Sequence, residues 1–203
     1  EFFARDVAYN TDSKVDTTFY GGYTVENVFQ SENGFHALAL TASNKEPVLA
    51  IRGTASVADV VTDLDSEGVG YSQVQAALDE TGLWQWLENN QGVHLTGQSL
   101  GGSQVQLLAS KATAADISLG KVRSFNATGI SQSDAESFDP NLANEIAHYI
   151  SSGDVVSQAG STFIPGDLEY YNFDTLSFAD PLISQPLNAH TSHWSQAEMY
   201  NEP

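Results

Sequence analysis

Apolar and polar positions alternate with two periods along the chain, and the change of period predicts the order of elements. Residues 2–9 read as a short helix ending near Asn10. Residues 23–30 and 35–42 are strand-like, rich in Val, Phe and Leu, and Ser31-Glu32-Asn33-Gly34 between them is a hairpin signal. Pro47 opens Val48-Leu49-Ala50-Ile51, a short continuous apolar run of the kind that forms a strand buried on both faces. From 73 to 88 the spacing turns helical, with Val74, Ala77, Leu78, Leu83, Trp86 and Leu87 on or near one face and Gly82 as a candidate break. A strand ending at 93–95 and a helix over 103–112 follow. Further strands are predicted at 122–126, 146–151 and 169–173, and a last helix at 192–200. Antiparallel strands first, then strands alternating with helices, predict an α/β domain. Its central sheet is mainly parallel, with an N-terminal antiparallel hairpin and helices on both faces. Without repeats, low-complexity tracts or a Pro/Ser-rich linker, the 203 residues are expected to form one domain, 1–203.

In such a sheet ligands bind at the carboxyl ends of the strands, and the chain puts its sharpest motif at one of those ends. Gly97-Gln98-Ser99-Leu100-Gly101 is a Gly-x-Ser-x-Gly sequence between a predicted strand and a predicted helix. The flanking glycines permit a tight strand-to-helix turn that holds the serine hydroxyl above the sheet. A serine needs a base, an acid that orients the base, and N–H donors for an oxyanion. In hydrolases with this elbow the acid and then the base follow the serine along the chain.

Five histidines are available. His36, His94 and His148 fall within strand-like runs, which leaves His190 and His193 in a late loop. His190 is favoured, because Thr191 or Ser192 is a natural helix N-cap and would carry His193 into the first helical turn. For the acid, Asp154 follows a buried strand in Ser151-Ser152-Gly153-Asp154, where a carboxylate can fix an imidazole tautomer. Asp134, Asp139, Asp167 and Asp174 read as solvated charge. Asp180 is the second choice.

With these residues in place the chain resembles the class 3 lipases, a branch of the α/β-hydrolases. Three blocks carry the resemblance: Val48-Leu49-Ala50-Ile51-Arg52-Gly53-Thr54 with the later Asp59-Val60-Val61-Thr62-Asp63-Leu64; the elbow Thr96 to Gly102; and Gly153-Asp154-Val155-Val156 with the late histidine loop. The resemblance implies a serine hydrolase acting on carboxylic esters of lipids, as a lipase, phospholipase A1 or esterase. Ser99 would be the nucleophile, Asp154 the acid and His190 the base. Thr54 and Leu100 would supply the oxyanion N–H groups, and Arg52 would pair with a carboxylate such as Asp63. It implies no cofactor and no metal. The chain departs from the pattern in three places: Gln98 stands where a histidine often precedes the nucleophile, Gly68-Val69-Gly70-Tyr71 replaces a His-x-Gly-Phe block, and cysteine is absent.

Charge narrows the partners. Seven Lys plus Arg against 26 Asp plus Glu give a net charge of −19, which repels nucleic acid and anionic lipid. The expected partner is an acyl ester, met free or in transient contact with a lipid interface. Phe, Tyr, Leu and Val in 65–74 and 176–187 are candidates for an acyl-binding wall. The opening Glu-Phe-Phe carries no signal-like leader, and the acidity suits a mature chain outside the cell or a domain of a larger exported polypeptide. Two rivals remain at this level. One is a hydrolase-fold binding module whose triad has decayed. The other is a phosphate-cradling α/β protein, opposed by glycine spacing that fits neither nucleotide fingerprint and by the negative charge.

Overall fold

A computed structural model describes residues 1–10, 12–53, 70–154, 156–158 and 160–171. Among these residues seven strands form one sheet whose spatial order equals their order along the chain. They are β1 (Thr24–Gln30), β2 (His36–Ala42), β3 (Lys45–Ile51), β4 (Val93–Gln98), β5 (Leu119–Phe125), β6 (Ala143–Ser151) and β7 (Asp167–Tyr171). The first two pairings are antiparallel and the remaining four parallel. This is the α/β architecture that the apolar pattern predicts.

The β1–β2 hairpin closes where the turn signal lies, with Gly34 at φ 95° and its N–H donating to the Ser31 carbonyl. A second hairpin was not legible from the apolar run alone. Ala42 pairs with Lys45 across a two-residue turn in which Asn44 takes φ 60°, so β3 begins before Pro47. Proline has no N–H for the ladder, and the β2–β3 register shifts between Leu40 and Ala42, opposite it.

Among the described residues four α-helices lie in the crossovers: α1 (Tyr71–Glu80), α2 (Leu83–Asn89), α3 (Leu100–Ala114) and α4 (Gln132–Glu136). The break at Gly82 is real: its φ of 77° separates α1 from α2. When parallel strands advance in one direction through right-handed connections, all the crossover helices land on one face. The main core shows that outcome, joining Val74, Leu87, Val105 and Leu108 from the helices to Ala37, Leu49, Leu95 and Val122 from the strands. Alternate residues point the other way. Leu38, Leu40, Val48 and Ala50 form a second core with Val7 and Ala8, beneath a π-helical turn at Phe3–Val7. Helical turns therefore cover both faces, though the 2–9 segment is wound more widely than an α-helix.

Helix α3 is the hub. Thirteen of its fifteen residues are buried, and two of its inward polar side chains tie neighbouring segments to it. Ser103 bonds Thr128, and the Gln106 amide donates to the Thr128 carbonyl while accepting from the Ile164 N–H. These bonds hold the chain beyond β5 and the chain before β7 to one helix face. No helix among the described residues is long and apolar enough to cross a membrane. The predicted helix at 192–200 lies outside them.

Candidate active site

Ser99 lies between β4 and α3 with φ 58° and ψ −129°. A residue bearing a Cβ pays on the order of 1–3 kcal/mol for such a backbone, and holds it only when the surroundings over-determine it. Here the Ser99 N–H donates to the Phe125 carbonyl at 2.9 Å, and its own carbonyl accepts from Gly102 and Ser103 at 2.9 and 3.3 Å. The glycines are required by contact. A Cβ on Gly97 would come within 2.4 Å of the Gly101 carbonyl oxygen, and one on Gly101 within 2.4 Å of the Ile51 oxygen. Strand, turn and helix thus meet backbone to backbone. Leu100 is the first residue of α3, where an N–H has no carbonyl one turn behind it.

The loop leaving β3 passes beside this turn. A Cβ built on Gly53 would lie 3.3 Å from the Ser99 Cβ and 2.5 Å from the Gln98 carbonyl oxygen. Thr54, the other expected oxyanion donor, lies outside the described residues, as do Asp63, Asp174, Asp180, His190, His193 and most of the expected acyl wall.

Asp154 lies three residues beyond β6. Because β4, β5 and β6 run parallel, it occupies the same end of the sheet as Ser99. Gly153, at φ 84°, turns the chain there. The carboxylate is 2% exposed. Its Oδ1 accepts from the Val156 N–H at 2.9 Å and its Oδ2 from the Ser157 hydroxyl, so burial does not leave it unsatisfied. Between serine and acid, Asn126 joins the two strand ends. At φ 47° it donates its N–H to the Tyr149 carbonyl, and its Oδ1 accepts from the Ser151 N–H, each at 2.8 Å. Asn126 and Ser157 lay below the reach of sequence reasoning, since neither belongs to a motif.

The rejected carboxylates have local duties. Asp134 pairs with the Ser131 cap of α4 and Asp139 accepts from the Asn141 N–H. Asp167 is exposed.

The three early histidines have different surroundings. His94 lies near the start of β4, at the opposite end from Ser99, and its Nδ1 accepts from the Lys121 N–H at 2.8 Å. His148 is locked between the Ser124 hydroxyl on Nδ1 and the Ile164 carbonyl on Nε2. Burial pushes its pKa down to about 4. His36 lies at the serine's end of the sheet, with its carbonyl accepting from the Arg52 N–H. It is buried, its Nδ1 has no partner among the described residues, and burial and then the Arg52 charge lower its pKa. Among the described residues no group of three or more His, Cys, Asp or Glu side chains is placed to hold a metal ion.

No family model matches the chain, and no curated protein matches it in sequence. Solved structures do match it in fold. A lipase from Rhizopus microsporus var. chinensis is 15% identical with a TM-score of 0.57, over 83% of this chain and 69% of that one. A triacylglycerol lipase from Penicillium expansum is 17% identical with a TM-score of 0.55, over 82% and 74%. A non-glycosylated lipase from Yarrowia lipolytica is 15% identical with a TM-score of 0.57, over 82% and 74%. The chain has the α/β-hydrolase-like fold of these fungal lipases, the fold expected from its three motif blocks.

Proposed function

We propose that the protein is a carboxylic ester hydrolase acting on lipid or related acyl esters through an acyl-enzyme on Ser99. The observation that carries this reading is the Ser99 backbone, held at positive φ at the carboxyl end of β4 with the β3 loop beside it. Glycine would adopt this backbone without the penalty, and strained residues that bear a Cβ cluster where a site needs a fixed geometry.

In this reading His190 takes the Ser99 proton as Ser99 attacks the ester carbonyl. The N–H groups of Leu100 and Thr54 hold the oxyanion, each lowering the barrier by roughly 3 kcal/mol. Asp154 fixes the imidazole tautomer and stabilises the imidazolium. The imidazolium then protonates the leaving alkoxide, and water repeats the cycle on the acyl-serine. His94 and His148 are bound to other groups, and a late histidine fits the order serine, acid, base along the chain. The fold neighbours described as lipases support a lipid ester as the substrate class. A place outside the cell belongs to the same proposal and stands on the acidic composition.

Turnover of p-nitrophenyl butyrate tests the assignment. Ser99→Ala and His190→Ala are expected to abolish it, while His193→Ala keeps most of it. Asp154→Asn is expected to lower kcat by a factor on the order of 10⁴. Loss with His193→Ala and retention with His190→Ala would move the base to His193. Full activity in Ser99→Ala would overturn the proposal.

A further inference from the structure

Tyr9 belongs to no motif, yet its hydroxyl joins three distant parts of the chain. It donates to Oε1 of Gln98, the residue before Ser99, at 2.9 Å across 89 positions. Its oxygen also lies against Gly53, in the loop leaving β3. Gly53 is wedged so closely that a Cβ there would lie 2.4 Å from the Tyr9 oxygen and 2.5 Å from the Gln98 carbonyl oxygen. The N-terminal π-helical turn packs against β3 and β4 and delivers the phenol to this point.

We infer that Tyr9 is a positioning residue for the reaction at Ser99, clamping the loop that leaves β3 against the nucleophile turn. The inference rests on the reading of Ser99 as nucleophile. One oxyanion donor would come from each side of the clamp: Leu100 follows Ser99, and Thr54 follows Gly53. A phenol bonded to one side and packed hard against the other fixes where Gly53 sits relative to the serine. Burial raises the phenol's pKa above its ordinary value, so the proton stays on the oxygen at every pH where an imidazole base works. Gln98 thereby acquires a purpose: its amide oxygen accepts the phenol's hydrogen bond while the Tyr9 oxygen packs against Gly53. A histidine is not needed at that position for this task.

A core tyrosine that is merely well bonded would stabilise the fold without affecting the rate. Tyr9→Phe keeps the ring and leaves the Gln98 acceptor without the phenol, whereas Gln98→Met keeps the phenol and removes the amide it bonds. Both variants and their combination are compared with wild type in kcat, KM and the rate of labelling by a fluorophosphonate. The temperature is held well below the lowest melting point found by circular dichroism. Each single variant is expected to lower kcat and the labelling rate roughly tenfold or more, since small misplacements of reacting groups are costly. KM should stay within about twofold, because ground-state binding is untouched. The double variant should be no slower than the slower single one, the signature of one shared interaction.

Variants that melt earlier yet keep wild-type kcat and labelling would overturn the positioning role while leaving Ser99 as nucleophile. A wild type that neither labels nor turns over ester would remove the Ser99 reading, and this inference with it. Should Tyr9→Phe fail to fold, Gln98→Met decides by the same criterion.

Discussion

At the scale of single residues, the chain spends stability where the proposed chemistry needs geometry. The positive φ of Ser99 opposes folding and is held by three backbone bonds around it. His148 shows a different balance. Its ring joins β5 to the segment before β7, bonded to Ser124 and to the Ile164 carbonyl, and burial there disfavours the charged imidazolium. With the folded pKa near 4 and the unfolded value near 6.5, the unfolded chain binds the proton first as pH falls. The stabilisation is therefore fully present above about pH 6.5. It is lost progressively as pH falls towards 4, up to about 3 kcal/mol in all. Urea unfolding of wild type and His148→Gln at pH 7.5 and pH 4 isolates this effect from the carboxylates the two proteins share. Wild type should lose more stability on acidification than the variant does. Equal losses would mean that His148 is not buried as the neutral ring.

At the scale of elements, the nucleophile turn is a contact between backbones. Within a helix, replacing glycine with alanine usually stabilises by roughly 0.5–1 kcal/mol. At Gly101 the sign should reverse, because the added Cβ would lie 2.4 Å from the Ile51 oxygen and 2.9 Å from backbone atoms of residues 52 and 53, which no side-chain rotation relieves. Overpacking of this kind costs about 1–3 kcal/mol, enough to outweigh the gain in propensity. Gly101→Ala should therefore melt several degrees lower and turn over ester more slowly. A higher melting point with full activity would show that α3 does not press on the end of β3.

The same level shows what was legible in the sequence. Helices α1 and α3, the β1–β2 hairpin and the buried strands announce themselves through period and turn residues. Those signals are local, and each element buries the face its pattern displays. The second hairpin at Ser43-Asn44 was hidden because Lys45 and Glu46 extend β3 beyond its apolar run. At the site, Ser99, Leu100 and Asp154 could be placed because they flank strand ends. Tyr9, Asn126 and Ser157 could not, because their roles come from pairings set by the finished fold. Tyr9 and Gln98 are 89 residues apart, and no periodicity reports such a contact.

At the scale of the whole molecule, charge and fold make separate statements. The sheet order and the lipase-like neighbours define the scaffold, and a scaffold alone does not fix an activity. The net charge of −19 bears on where an interfacial substrate could be met. An anionic bilayer repels such a protein within a Debye length, about 10 Å at 0.1 M salt. Ester hydrolysis should be faster on phosphatidylcholine vesicles than on phosphatidylglycerol vesicles at low salt, and added NaCl should narrow the gap. Faster hydrolysis on the anionic vesicles would point to a local basic surface that the overall charge conceals.

The central claim is that one strained serine, at the carboxyl end of the middle of the sheet, forms the acyl-enzyme. Reaction with a fluorophosphonate followed by peptide mapping by mass spectrometry tests it most directly. The account predicts one adduct per chain, on Ser99, absent in Ser99→Ala while that variant remains folded. Folded wild-type protein that takes up no probe, or takes it up on another residue, would contradict it.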